Sequence, residues 1–294
     1  MRRCLKKGDD YLGLKACKIM IGLLVRAGDD VAKDFPYRKV FSYLTDTLKS
    51  EKTSVKDVAI QITRSILQLG RSRSILFDES SECLYELVGI FKRTHEEPGV
   101  FQSGIVAVPQ LQYGAGLCLW LLTFDRHVAA KLNKRYDLVP TMVEIARSAV
   151  KEKVIRVIVA TWRNLIELAP QSNMPFLVDS KTTDCLYSIK ARKLKDEDIK
   201  ADVDALIERT EEQRSHMSTW DFYVSEVRSG RLSWTPAHRD ESFWAMHAAK
   251  LDDDNHCVIR ALHELLKNPP DTLSIAVACH DIGQYVHFNP AGKQ

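Results

Sequence analysis

Seven of the nine histidines (His216, His238, His247, His256, His263, His280 and His287) follow residue 215. Metal chemistry there would draw on His256, Cys257 and His263, or on Cys279 and His280. A zinc site needs three or four such ligands to converge, commonly two of them one helical turn apart. No i,i+4 ligand pair and no companion set of carboxylates stands near these residues, so the reading is no metal and no cofactor. Polar caps and half-buried helix positions are the expected places for these rings. The run "CHDIG" sets His280 beside Asp281, which invites an acid/base reading. Adjacent residues on a helix point apart, so the pair is not a dyad.

Other chemistry fares no better. There is no G-x-x-x-x-G-K-[ST], no G-x-G-x-x-G after a strand, no G-x-S-x-G and no H-E-x-x-H. "QYGAG" at 112–116 is Gly-rich, but it leads into the apolar run "LCLWLLTF" with no preceding strand and no Lys. It reads as a loosened helix start and not a phosphate cradle. Basic clusters at 1–7 and 190–195 lack interleaved stacking aromatics, and the second runs straight into "DEDIKADVD". Solvated faces, not nucleic-acid contacts, are expected. With 42 Lys plus Arg against 39 Asp plus Glu, net charge names no partner. Seven Cys (4, 17, 83, 118, 185, 257, 279), odd in number and never spaced C-x-x-C, fit reduced thiols. No apolar run reaches membrane-spanning length and the N-terminus lacks a signal-peptide core, so a protein facing the cytosol is expected, without membrane insertion.

The elements that would carry any site are helical throughout. A length of 294 residues allows roughly two domains. "YLGLKACKIMIGLLVRAG" puts Leu12, Ala16, Ile19, Met20, Leu23 and Leu24 on an expected buried face, ending at Gly28. "SVKDVAIQITRSILQLG" opens with Ser54 and Asp57 in capping-box spacing and is expected to end at Gly70. Pro140 falls in a first helical turn. Val55, Val58, Ile62 and Ile66 share a 3-4-4 spacing with Val154, Val157, Thr161 and Leu165, and Leu111, Cys118 and Leu122 match three of the four positions. Ile275, Ala278, Ile282 and Val286 repeat the set. Starting points at 55, 111 and 154 lie near the period of HEAT or armadillo repeats. The spacing predicts an α-solenoid, the alternative being an irregular helical domain. Residues 96–109, with Pro at both ends, read as a loop or short extended insert. "KARKLKDEDIKADVDALIERTEEQRSH" reads as a solvated helix packed along one seam of Ile199, Val203, Leu206 and Ile207.

"SGRLSWTPAHRDESFW" at 229–244 holds two of the five Trp between two helical patterns. Ser218 with Asp221 starts a helix that Gly230 ends in a left-handed cap. Leu232 and Trp234 alternate with Ser233 as in an extended segment, Pro236 denies further helix, and Phe243, Trp244, His247, Ala248 and Leu251 share the next helix face. Aromatic residues this dense predict an ordered elbow between two domains, with Arg231, Leu232, Trp234, Phe243 and Trp244 as the candidate interdomain or partner contacts.

That stretch closely resembles the domain-joining segment of the H-subunit family of V-type proton-pumping ATPases, with its S-G-R-L-x-W-[ST]-P-x-H run before a helix carrying F-W. "QLQYGAGLCLWLLTF", "YDLVP", "SAVKEKVIRVIVATWRNLIE", "KDEDIKADVDALIE" and "IAVACHDIGQYVHFNPAGK" resemble further landmarks of the family, in order. The resemblance implies an all-α solenoid of HEAT/armadillo-like repeats in two domains: residues 1–215, and residues 216–294 including the 229–240 elbow. It implies a non-catalytic regulatory and scaffolding subunit on the cytosolic face of vacuolar and other endomembranes. Its partners would be the peripheral stalk, the cytosolic part of the membrane sector and the central rotor. Such a subunit supports coupled ATP hydrolysis and proton transport and silences detached ATPase. Against the family pattern this chain looks shortened at both ends and longer at 96–109. The rival reading is a generic armadillo-type adaptor gripping extended peptides, for which a ladder of Asn and Trp is hinted only by "TWRN" at 161–164; a further alternative is a helical hydrolase or metal enzyme using the His-rich end.

Overall fold

The computed structural model describes residues 10–96, 107–216 and 218–289. Among them every regular element is helical. The helices are α1 (Asp10–Ala27), α2 (Tyr37–Leu48), α3 (Thr53–Ile66), α4 (Gly70–Glu79), α5 (Ser81–Glu96), α6 (Ala107–Leu122), α7 (Arg126–Tyr136), α8 (Leu138–Ser148), α9 (Glu152–Leu168), α10 (Pro170–Leu177), α11 (Ser180–Lys190), α12 (Glu197–His216), α13 (Thr219–Ser229), α14 (Pro236–Arg239), α15 (Glu241–His247), α16 (Asp253–Lys267) and α17 (Thr272–Phe288). The chain divides into two compact units, Met1–Asn173 with Asp184–Leu206, and Met174–Thr183 with Ile207–Gln294.

The first unit is a HEAT/armadillo-like solenoid. Helices α1, α3, α6 and α9 pack one on the next, and α3, α6 and α9 are the three that share the apolar spacing. The period is written in the polar contacts between layers. Lys18 donates to Gln61 at a separation of 43 residues, Lys153 to Gln110 at 43, Asn164 to Thr123 at 41, and Asn173 to the Ala129 carbonyl at 44. Each helix pair therefore buries its face against its neighbours, which is why no single repeat would be stable alone. Between α3 and α6 the separation lengthens, with the Cys118 thiol donating to the Ile60 carbonyl 58 residues away. The extra residues include 97–106.

Four local expectations in the first unit are corrected. The buried face of α1 is Leu14, Cys17, Ile21 and Leu24, while Leu12, Ile19 and Leu23 are exposed. This helix is apolar nearly all round, so periodicity does not choose its face; packing against α3 does. Ser54 lies inside α3, which starts from an extended Lys52 with no side-chain cap, and Asp57 instead accepts from Gln61. Gly70 opens α4 and does not close α3.

The fourth concerns "QYGAG", which lies within α6 and not at a loosened start. A Cβ on Gly114 would meet Ile60 Cγ2 at 2.8 Å, and one on Gly116 would meet Val157 Cγ1 at 2.7 Å. These two glycines let α3 and α9 approach α6 from either side. Pro109 likewise belongs to α6, while most of the 96–109 insert, residues 97–106, lies outside the described residues. Pro140 sits in the first turn of α8, and Ile199, Val203, Leu206 and Ile207 form the buried seam of α12; residues 191–196 before it are not helical.

The second unit has its own core of Tyr223, Val227, Leu232, Phe243, Trp244, Leu251, Leu262, Val277 and Ala278 among others. On α17 the buried face is Ser274, Val277, Ala278 and Asp281; of the expected Ile275, Ala278, Ile282 and Val286 stripe, Ala278 is buried and the other three are half-buried.

Candidate functional site

The segment joining α13 to α15 is ordered by local signals first. Ser218 caps α13 in a complete capping box with Asp221, and Gly230 closes it with φ 72°, a left-handed conformation that a side chain would disfavour. Residues 231–235 have no regular secondary structure, and the Thr235 N–H turns back to the Ser233 carbonyl at 2.7 Å, so the expected extended run does not form. Pro236 opens the single turn α14 at its first position, where its missing N–H costs nothing, so it does not forbid helix here. Asp240 then caps α15 by accepting from the Ser242 N–H.

Beneath this path lies a buried polar chain that crosses four elements. The Glu226 carboxylate on α13 accepts from the Ser233 N–H at 2.8 Å, the Ser233 hydroxyl at 3.0 Å and the Thr235 hydroxyl at 3.3 Å. It also accepts from His238 Nε2 at 3.1 Å. The other face of the imidazole, Nδ1, lies 2.9 Å from both oxygens of Asp281 on α17, and the Tyr223 hydroxyl donates to Asp281 at 3.1 Å. The His238 and Asp281 side chains are 0 % exposed and that of Glu226 is 3 %. Burial opposes charge on His238, but hydrogen bonds and attraction from Asp281 and Glu226 outweigh it and push its pKa up to about 9. With both ring nitrogens donating, His238 is an imidazolium held between two carboxylates. Burial, with the Asp281 charge, drives the Tyr223 phenol well above its ordinary range.

Backbone ties complete the elbow. The Leu232 N–H donates to the buried Ser274 hydroxyl on α17, and the Trp244 indole N–H donates to the His238 carbonyl, both at 3.1 Å. Around Tyr223 the rings of Trp220, Phe243 and Trp244 pack with centroids 5.2 to 5.7 Å away.

The candidate contact residues therefore separate. Leu232, Phe243 and Trp244 lie in the core of the second unit. Arg231 is half-buried and Trp234 is 37 % exposed. Sequence reading missed Glu226, Tyr223 and the buried partnership of His238 with Asp281. The available signal was Asp281 itself, a carboxylate four residues after Val277 on a buried helix face. His280 does approach Asp281, at 3.4 Å, but the carboxylate is already engaged by His238 and Tyr223.

This arrangement fastens and does not react. The imidazole is sealed from solvent and both its nitrogens are occupied, so no substrate reaches a transferable proton. Among the described residues no group of three or more His, Cys, Asp or Glu could hold a metal ion, and no helix is long and apolar enough to cross a membrane. Cys17, Cys83, Cys118 and Cys185 are buried free thiols, with Cys118 pushed furthest up by burial. Within the basic stretch 190–195, Lys190 pairs with Asp204 and Arg192 donates to the Ala146, Arg147 and Ala149 carbonyls, while Lys193 and Lys195 are exposed. In "TWRN", Trp162 is fully buried and Asn164 bonds to Thr123, so neither is presented to a peptide.

Two family models, both described as the V-ATPase H subunit, match the chain over residues 1–209 and 216–294. Among curated relatives, the V-type proton ATPase H subunit of Drosophila melanogaster is 40 % identical over 189 residues, 63 % of this chain and 40 % of that protein. The protein of the same name from Dictyostelium discoideum is 28 % identical over 292 residues, 99 % of this chain and 62 % of that one. A probable V-type proton ATPase H subunit of Caenorhabditis elegans, the one numbered 2, is 37 % identical over 189 residues, 63 % of this chain and 40 % of its own length. The chain thus spans between 40 % and 62 % of these relatives.

Proposed function

The chain belongs to the V-ATPase H-subunit family, and on that premise we propose that it is a non-catalytic regulatory and scaffolding component of a V-type proton ATPase. It bridges the cytosolic ATPase sector to the membrane sector, supports coupled hydrolysis and proton transport, and restrains hydrolysis by detached sector. Its partners are other subunits of that assembly: the peripheral stalk, the cytosolic part of the membrane sector and the central rotor. We assign the larger role in stalk binding to residues 1–215 and the regulatory role to residues 216–294. Arg231 and Trp234, the two candidate contact residues that keep exposed surface, belong to the partner-facing side of the elbow.

The observation that carries this reading is the pair of family matches, which between them take in nearly the whole chain. The inert chemistry of the buried elbow supports it, because a fastened joint suits a part that holds other subunits. The test is phosphate release by purified ATPase sector lacking this component, titrated with the full chain. Saturable change in the sector's hydrolysis, with none by the chain alone, is expected. An unchanged rate across the titration, or hydrolysis by the chain alone that a point substitution abolishes, would overturn it.

A further inference from the structure

We propose that Trp234 and Arg239 form a preorganised docking point for an acidic peptide segment of a partner subunit, an inference that rests on the function proposed above. Trp234 stands on a fixed backbone, because the residues on either side, Ser233 and Thr235, are both tied to the buried Glu226 carboxylate. One edge of its ring rests on His280, with centroids 5.1 Å apart, and the Arg239 guanidinium lies over the ring at 5.2 Å from its centroid. The indole is nevertheless 37 % exposed, while its neighbours Leu232 and Trp244 are sealed in the core.

Arg38, Arg156, Arg163 and Arg209 each pair with Asp or Glu. Arg73, Arg135 and Arg214 lie over aromatic rings as Arg239 does, but Arg73 and Arg135 also bond main-chain carbonyls and the ring beneath Arg214 is a Phe without a polar edge. Arg239 has no carboxylate within ion-pair distance among the described residues and is stacked on an aromatic ring instead. The adjacent acid, Asp240, is committed to the N–H and hydroxyl of Ser242. The Arg239 guanidinium makes no hydrogen bond among the described residues, and held over the indole it can take a carboxylate with two parallel hydrogen bonds. The exposed indole beside it offers an apolar surface and a free N–H donor. Together they fit a segment bearing an Asp or Glu next to an apolar side chain. A membrane surface is the poorer match, since headgroup binding needs clusters of Lys and Arg and residues 229–244 hold two Arg and no Lys. Trp and Arg are also the residues that most often dominate binding energy at protein interfaces.

The test uses the full chain and purified ATPase sector lacking this component, with a photoreactive benzoylphenylalanine at the exposed position 241 and adducts mapped by mass spectrometry. Dissociation constants are measured for Trp234→Ala, Arg239→Ala, Arg239→Lys and the control Arg209→Ala. We expect an adduct within a segment carrying Asp or Glu, binding weakened at least about tenfold by Trp234→Ala and Arg239→Ala, a smaller loss for Arg239→Lys, and none for Arg209→Ala. Melting temperatures unchanged for the arginine variants and lowered only modestly for Trp234→Ala, with every variant fully folded at the assay temperature, are expected to separate these effects from misfolding. Retained sector binding with both alanine variants within twofold of the parent, or an adduct only in a segment without carboxylates, overturns this inference alone. Absence of any sector binding by the parent chain overturns the proposed function and the inference with it.

Discussion

Replacing Glu226 by Gln isolates what the buried chain contributes. The amide retains one oxygen, able to keep the two bonds from Ser233, but sets an NH2 against His238 Nε2 and Thr235 Oγ1, which now bond to the second carboxylate oxygen. The charge-assisted bond from His238 is lost, at about 1.5 to 3 kcal/mol, while the Thr235 hydroxyl can turn to accept from the new NH2 and loses only its charge assistance. The His238 charge also keeps only Asp281 as a counter-ion, and breaking buried ion pairs costs about 3 to 5 kcal/mol when it leaves a charge uncompensated. Part of that cost is avoided because Asp281 remains, so a loss of about 3 kcal/mol is expected. Urea unfolding of the full chain, followed by tryptophan emission and by exchange at amides in 219–289, measures it in the second unit. A Glu226→Gln variant within about 0.5 kcal/mol of the parent would refute the reasoning, since it would mean that neither the charge nor the geometry at 226 holds the elbow.

Three further outcomes follow from the same geometry. His238 has a folded pKa raised from 6.5 to about 9, so its stabilisation is complete below pH 6.5 and is lost as pH rises through 9; urea titrations at pH 6 and 10 should differ by about 3 kcal/mol from this group, and His238→Gln should lose that difference. Gly114→Ala and Gly116→Ala drive a Cβ against Ile60 and Val157 and should each destabilise the first unit by about 1 to 3 kcal/mol despite better helix propensity, whereas Gly22→Ala, which meets nothing, should not; thermal unfolding distinguishes them. Trp244→Ala, at 1 % exposure with its N–H bonded, should cost about 3 to 5 kcal/mol, and Trp234→Ala clearly less, as read by denaturant midpoints.

What the sequence revealed depended on the range of the interaction. The capping box at Ser218 and Asp221 and the left-handed cap at Gly230 act within four residues, and both were legible. The same spacing at Ser54 and Asp57 gave a false start, because the chain was already helical at Thr53 and the serine had no terminus to cap. The solenoid was legible because α3, α6 and α9 repeat one apolar pattern. The faces of α1 and α17 were not, since each helix offers two apolar stripes and only the neighbouring helix selects between them. Glu226, His238 and Asp281 span 56 positions, and no local pattern brings them together. "QYGAG" looked like a flexible start because glycine signals freedom in isolation; only the positions of Ile60 and Val157 show that it serves close packing.

Native mass spectrometry of purified V-type ATPase sector lacking its H subunit, mixed with the full chain, tests the central claim most directly. One chain per sector is expected, in a complex that survives transfer at micromolar concentration. Free sector and free chain side by side, at every ratio tried, would contradict it.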